Sequence, residues 1–494
     1  MQIFTERRRA VSETLFGLEP QSLWRHFARI TQIPHCSGRE EAVRAYVLEC
    51  ARGRGLGFRV DEAGNVIVTS PAHPSMEGAP GVILQAHIDM VCEKDSASAH
   101  DFTKDPLPLV RDGDWVAAAG TTLGADNGIG LAAILAVLED TSLAHGPLEA
   151  LFTVDEERGL VGAFGLEPGC LEGTYFFNLD SEEEGVLCIG CAGGADSVFT
   201  LPVSRKARGR AQPVEIRVAG LKGGHSGIDI HLGRANAIKV LARVLFRLGE
   251  QLGCDLAAVQ GGSARNAIPR EARAHLFLAP GDVAAARSLV NEFSEEIRYE
   301  FRHTDPGLDI TIESAECTER PLNRRSQRTV IDALMALPHG VRSMSADVPG
   351  LVETSTNLAS VRTSDTYVEI AQMSRSSIDS ALAEMQASLR AFSRLSGAHL
   401  EQPEGYPGWT PDPDSPFVAR LRNIYSELFG TEPALKAVHA GLETAIIGKK
   451  MPGLKMVSIG PEIRDPHSPG ERVNILSVQR FWRFLLEALK RLTE

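Results

Sequence analysis

Val82-Ile83-Leu84-Gln85-Ala86-His87-Ile88-Asp89 decides how this chain folds. Its nearly continuous apolar run is the pattern of a strand buried on both faces of a sheet. Such strands belong to layered α/β domains, with helices covering the sheet. Yet the run ends in His87 and Asp89, and ionisable groups at a buried strand end are costly unless something compensates them. Four further segments also carry acids or histidine, and most of the five are apolar strands. They are Gly124-Ala125-Asp126-Asn127-Gly128, Leu151-Phe152-Thr153-Val154-Asp155-Glu156-Glu157, Tyr175-Phe176-Phe177-Asn178-Leu179-Asp180 and, far downstream, Asp465-Pro466-His467-Ser468.

Around these segments, helix and strand signals alternate through about 190 residues. Residues 21–33, 39–53 and 128–138 read as helices. Residues 59–69 read as two strands split by the hairpin signal Ala63-Gly64-Asn65, and 148–154 and 174–179 as further strands. Beyond Cys191-Ala192-Gly193-Gly194 the period changes. Alternating segments (214–218, 272–278) are separated by long amphipathic helices (234–252, 283–301, 377–396), which predicts an antiparallel sheet with covering helices. A strand–helix–strand order occurs twice there, at about 196–305 and 306–396. After the turn-rich connector Pro403 to Pro411 the α/β signals return, with a helix at 416–429, a strand at 455–459 and a closing helix at 477–492. If His467 joins the early acids, residues 1–192 and 397–494 form one discontinuous α/β catalytic domain, a mixed sheet between helices. Residues 193–396 are then an inserted α+β domain.

A chain of 494 residues exceeds one ordinary core, in keeping with two domains. A net charge of −13 argues against nucleic acid and against a membrane surface as partners. No apolar run approaches the ~20 residues of a membrane span. Met1 to Ala10 is charged with no apolar stretch behind it, so no signal peptide is expected and the cytoplasm is. The eight scattered cysteines then read as reduced thiols, and the lone Cys188/Cys191 pair as coincidence.

A pair of divalent cations would compensate the strand-end charges. Two Zn²⁺ bring about four positive charges; Asp126, Glu157, Asp180 and one hydroxide return them. His87 and His467 fill neutral imidazole places. Taken singly, each motif has a plain structural explanation: a buried histidine met by Asp89, a helix cap at Asp126, a solvated acidic pair at Glu156-Glu157. Their joint occurrence with one late histidine suggests a two-metal hydrolase. Alternation puts His87 and Asp89 on one strand face, where the carboxylate can orient the ring. Asp126 can bridge two cations, one oxygen on each. Of the two adjacent glutamates, one binds a cation while the other stays free as a base, its pKa raised by its neighbour.

The order H-x-D, D-N-G, E-E, strand-end Asp and late His resembles the di-zinc metallopeptidases related to glutamate carboxypeptidase and aminoacylase. The resemblance extends over almost the full length. Gly223-Gly224-His225-Ser226-Gly227 matches that family's glycine-rich histidine motif. Ile33-Pro34-His35-Cys36-Ser37, Thr121 to Gly128, Arg265-Asn266-Ala267-Ile268-Pro269 and Tyr406-Pro407-Gly408-Trp409 are similar to its bacterial aminoacyl-histidine dipeptidases. The resemblance implies a cytosolic, metal-dependent dipeptidase. It would cleave Xaa-His and other unblocked dipeptides with a metal-activated water. Two Zn²⁺ per chain are implied, and the same donors accept Mn²⁺ or Co²⁺. His87 and Asp180 would hold one metal and Glu157 and His467 the other. Asp126 would bridge them, through a cis peptide to Asn127. Asp89 would orient His87, and Glu156 would be the general base. The inserted domain would be the lid and dimerisation domain of a homodimer, and its closure would exclude water. In it His225 would stabilise the tetrahedral oxyanion, from the neighbouring subunit in dimeric members. Asn266 and Arg375 would hold the substrate or its terminal carboxylate, with Gly441 and Glu443 lining the pocket. An N-acyl amino acid hydrolase or aminopeptidase of the same family would share the metals. A catalytically silent binding relative would need a broken ligand set, and this one is whole.

Overall fold

The computed structural model describes residues 14–209 and 211–492. The charged stretch Met1 to Ala10 lies outside them. The chain divides into two compact units. The first comprises the residues up to Gly190, Pro411–Ala437 and everything from Leu442 onward; the second is Cys191–Thr410 with Val438–Gly441.

The first unit is built on an eight-stranded mixed sheet. Its order is Gly57–Val60, Val66–Ser70, Leu148–Thr153, Val82–His87, Tyr175–Asn178, Lys455–Ser458, Val186–Cys191 and Ala434–Val438. Val82–His87 lies parallel between Leu148–Thr153 and Tyr175–Asn178, and every residue of it is buried. That is why its sequence lacks a polar face. Val82, Leu84 and Ala86 pack into one core with helices Gln21–Ile30, Ala125–Glu139, Pro416–Phe429 and Ile475–Arg491. Lys455–Ser458 adds in parallel to Tyr175–Asn178, so the late segment completes the early sheet. The helix Ala125–Glu139 is buried nearly all round, as its uniformly apolar sequence requires. Gly130 admits the close approach of the next strand's exit: a Cβ there would lie 2.7 Å from the Leu179 carbonyl oxygen.

A small second sheet was not legible beforehand. The hairpin Leu109–Asp112/Trp115–Ala118 pairs through Trp115–Ala118 with Arg472–Asn474, which pairs with Ile463–Arg464. The loop between these last two strands carries His467, so that loop springs from a sheet rather than hanging free.

The second unit holds a wholly antiparallel sheet in the order Asp309–Ser314, Gln212–Ala219, Ala272–Leu278, Asp255–Gly261, Val352–Thr363, Tyr367–Ser376, Gly193–Pro202 and His399–Glu401. Gly340–Met344 pairs beside Val352–Thr363. Helices Ala237–Gln251, Val283–Glu300 and Arg324–Ala336 pack their buried residues with it in one core. The order helix, three strands, helix, strand occurs twice, from Ala237 to Ser314 and from Arg324 to Glu401.

One expectation fails. The cysteines are not all reduced: Cys36 and Cys92 form a disulfide. Cys36 bridges to Met90, Met90 N–H donates to the His35 carbonyl (3.1 Å) and Ser37 N–H to that of Met90 (3.3 Å). This pairing brings the two Cα atoms to 5.6 Å, inside the range a disulfide spans. Cys188 and Cys191 sit on one buried strand, and neither belongs to a metal-competent group among the described residues. No described helix is long and apolar enough to cross a membrane.

Candidate metal centre

The carboxyl ends of the parallel strands converge, the place where open α/β sheets put their sites. His87 ends Val82–His87, Glu156 and Glu157 follow Leu148–Thr153, and Asp180 follows Tyr175–Asn178. His87 Nδ1 lies 3.1 Å from the Asp89 carbonyl oxygen and 3.3 Å from its Oδ1. The ring hydrogen is fixed on that side, and Nε2 faces Asp126 Oδ1 (3.0 Å) and Asp180 Oδ1 (3.3 Å). His467 Nε2 faces Asp126 Oδ2 (3.0 Å) and Glu157 Oε1 (2.9 Å). Asp126 thus turns one oxygen to each histidine. Ligand atoms of His87, Asp126 and Asp180 lie within 4.8 Å of one another, as do those of Asp126, Glu157 and His467.

The backbone is bent to make this possible. Asp126 (φ −83°, ψ 108°) is not helical, although the helix runs on after it, and its bond to Asn127 is cis. Asn127 Nδ2 donates to Asp180 Oδ1. Asp155, Leu160, Asp465 and His467 have φ between 52° and 62°. This left-handed region is uncommon for non-glycine residues and concentrated at functional sites. The Glu156 and Glu157 N–H groups donate to Asp89 Oδ1 (3.0 Å) and Oδ2 (3.2 Å), so Asp89 seats both the histidine and the acid pair.

Charge in the cluster is unbalanced without cations. Burial, with Asp180, Glu443 and Glu157 nearby, pushes the Glu156 carboxyl well above the usual range. Burial also raises Glu157 and Asp180. Burial works the same way on Asp126, but hydrogen bonds from His467 and His87 outweigh it and hold it low. Asp126 and Glu157 push His467 up to about 11. Buried carboxylates in excess of imidazoles, all oxygen and nitrogen donors, fit a pair of divalent cations.

Sequence reasoning missed one residue outright. Glu471 is buried, and its Oε2 accepts from Leu123 N–H (2.8 Å) and Gly124 N–H (3.0 Å). Its Oε1 accepts from Ala125 (2.7 Å) and Asp126 (3.3 Å). One carboxylate grips the loop that presents Asp126. An acid four residues after His467 was its only trace.

In the second unit, Gly224–His225 pairs with Ala267–Ile268, and Ser226 N–H donates to the Asn266 carbonyl (2.7 Å). His225 Nδ1 accepts from Gly227 N–H (3.2 Å) and Ile228 N–H (3.0 Å). The ring hydrogen is therefore on Nε2. Burial and Arg375 hold this histidine's pKa below its ordinary value, so the ring stays neutral. Arg375 is buried and donates to the Tyr406 hydroxyl (2.6 Å). His439 Nε2 meets Ser355 Oγ at 2.7 Å. A Cβ on Gly227 would lie 2.0 Å from the His439 carbonyl oxygen, and one on Gly441 would lie 2.7 Å from the Tyr406 ring. His225, Arg375, His439 and Gly441 are thus neighbours, and Asn266 is exposed beside them. Glu443 belongs to the first unit. It is buried under the strand ends, accepts from Gln85 and Thr153 (both 2.7 Å), and burial pushes it up to about 8.

A mixed α/β sheet with imidazoles and carboxylates at its strand ends, joined to an antiparallel α+β unit, defines a class of peptidases. The chain belongs to peptidase family M20/M25/M40, whose sequence model matches residues 83–491. It is 44% identical over 477 residues to the cytosol non-specific dipeptidase of Escherichia coli strain K12, covering 96% of this chain and 98% of that one. The solved structure of aminoacylhistidine dipeptidase from Vibrio alginolyticus is 42% identical. It superposes with a TM-score of 0.88 over 96% of this chain and 97% of that chain. Aminopeptidase PepT from Bacillus cereus, 16% identical with a TM-score of 0.56 over 97% of this chain and all of that one, shares the fold.

Proposed function

We propose that the protein is a metal-dependent dipeptidase acting on unblocked dipeptides, Xaa-His among them. The observation that carries the reading is Asp126, with one oxygen toward each of two histidines that are themselves paired with Asp180 and Glu157. Both close relatives named above are dipeptidases, one for aminoacyl-histidine. Divalent cations held by His87 with Asp180 and by His467 with Glu157, and shared by Asp126, would polarise the scissile carbonyl and acidify the attacking water. Two Zn²⁺ per chain are proposed, in a cytoplasmic homodimer.

Glu156 takes the proton from water and passes it to the leaving amine; its raised pKa suits a group that must both accept and return a proton near neutrality. Asp89 keeps His87 and both glutamates in register. The neutral His225, with its hydrogen on Nε2, donates to the oxyanion that develops on the carbonyl. Arg375 binds the terminal carboxylate, because its planar fork meets two oxygens at once. Asn266, Gly441 and Glu443 are the remaining proposed substrate contacts. The test is turnover of β-alanyl-histidine and of its N-acetyl form, before and after chelation, with metal content measured alongside. Hydrolysis of the free dipeptide only, lost with about two metals per chain and regained with them, is the expected result. Preference for the N-acetyl form would make this an acyl amino acid hydrolase. Turnover that survives complete metal removal would overturn the reading.

A further inference from the structure

A second cluster of metal-competent side chains lies away from these residues, on the antiparallel sheet of the second unit. His275 on Ala272–Leu278 stands directly opposite Glu215 on Gln212–Ala219. His275 Nε2 lies 3.0 Å from Glu215 Oε2. That contact holds the ring hydrogen on Nε2 and turns Nδ1 the other way. On that side Glu319 Oε2 lies 4.0 Å from Nδ1 and 3.3 Å from Cys317 Sγ. One ligand atom from each of His275, Cys317 and Glu319 falls within 4.8 Å of the others. Around a tetrahedral Zn²⁺, with Zn–S ~2.3 Å and Zn–N or Zn–O ~2.0 Å, such atoms stand about 3.3–3.5 Å apart. Glu319 already stands at that spacing from Cys317, and His275 needs a shift on the order of an ångström to match.

The surroundings favour an ion rather than a chance meeting. Cys317 is buried against Ala257 and Phe277. Its carbonyl accepts from Arg208 Nη1 (3.1 Å), whose guanidinium lies 4.5 Å from the Phe277 ring centre. The thiol is therefore fixed in place. His275 and Glu319 keep 24% and 39% of their side chains exposed, which leaves a path for entry. The carboxylate–histidine contact to Glu215 is the arrangement that orients a metal-bound imidazole. One thiolate and one carboxylate balance a divalent charge, and sulfur with imidazole selects Zn²⁺ over Mg²⁺ or Ca²⁺.

We propose that His275, Cys317 and Glu319 form a Zn²⁺ site on the second unit, with Glu215 orienting the histidine and a water in the fourth place. The ion would pin the segment between Asp309–Ser314 and Arg324–Ala336 to the face of the sheet. Binding breaks the Cys317 S–H bond and forms a sulfur–metal bond, releasing one proton to solvent. Charged groups around the cluster include Glu215, Glu319, Arg205 and Arg208, with Glu313 opposite Glu215 on the next strand.

The test uses the full-length holoprotein and does not depend on the reading of the first unit, whose donors include no sulfur. Metal per chain and Co²⁺ absorption are compared in wild type, Cys317→Ser, His275→Ala and Glu215→Gln. Wild type should take up one Zn²⁺ more than Cys317→Ser. Its Co²⁺ form should show a thiolate charge-transfer band that Cys317→Ser and His275→Ala lack. Glu215→Gln should keep the band with ~10–100-fold weaker affinity. Equal stoichiometry in wild type and Cys317→Ser at micromolar free Zn²⁺, or a band that persists in Cys317→Ser, overturns the proposal. The thiol would then be only a hydrogen-bond donor to Glu319.

Discussion

Two neighbouring glutamates receive opposite treatment from the chain. Glu157 is aimed at His467, 2.9 Å away, whereas half-buried Glu156 lies in a looser group with His87 and Glu157, and desolvation holds it well above the carboxylate range. Replacing Glu156 with Gln removes the proposed base and leaves the proposed donors. Turnover should fall by ~10²–10⁴-fold while metal content, measured by mass spectrometry, stays at the wild-type level. Glu471→Gln tests the support rather than the chemistry, because it weakens the grip on four N–H groups behind Asp126. Competition against a chelator should show ~10–100-fold weaker metal binding, and turnover should recover at saturating metal. His87, Glu157 and Asp180 could be read from sequence because each closes an apolar strand, and His467 only by its place in the order of motifs. Glu471 could not, since its partners are backbone amides and backbone leaves no mark in sequence.

Among elements, those with a strong period were legible to within about three residues, such as Ala272–Leu278 and Pro416–Phe429. The four-residue strands Leu109–Asp112 and Trp115–Ala118 were not. They are short and carry charges, and their pairing with Arg472–Asn474 comes from far along the chain. The glycine-rich histidine loop depends on close approach. Gly227→Ala would push a methyl group into the His439 carbonyl. It should lower kcat/KM by shifting His225 while leaving far-ultraviolet dichroism unchanged. His439, packed against that loop, makes a pH-dependent contribution to stability. Burial, then Arg375, His225 and His231, hold His439 down at about 3 against an ordinary 6.5. Between those values the unfolded chain binds the extra proton. The contribution is therefore whole above pH 6.5 and is lost as pH falls toward 3, at no more than ~1.4 kcal/mol per pH unit. Denaturant unfolding of His439→Gln should show a flatter pH slope than wild type. Parallel slopes would rule the effect out.

Over the whole molecule, the disulfide is the largest departure from the sequence reading. Spacing alone cannot reveal it, since the two cysteines are 56 residues apart and meet only through the Met90 bridge. By loop entropy, opening it costs up to about 4 kcal/mol. Reductant should lower the unfolding temperature of wild type and leave a Cys36→Ser/Cys92→Ser double variant unmoved.

The sheet strand Lys455–Ser458, the ring of His467 and the carboxylate of Glu471 all belong to the same body as His87. A chain made from its N-terminus on a ribosome folds its early segments first. Here that early body waits, with an open seam beside Tyr175–Asn178, until Lys455–Ser458 has been translated. If the proposed metal centre is the hydrolytic one, it stays incomplete until His467 has been made. Any product of premature termination before Lys455 would lack one strand of the eight-stranded sheet, together with His467 and Glu471.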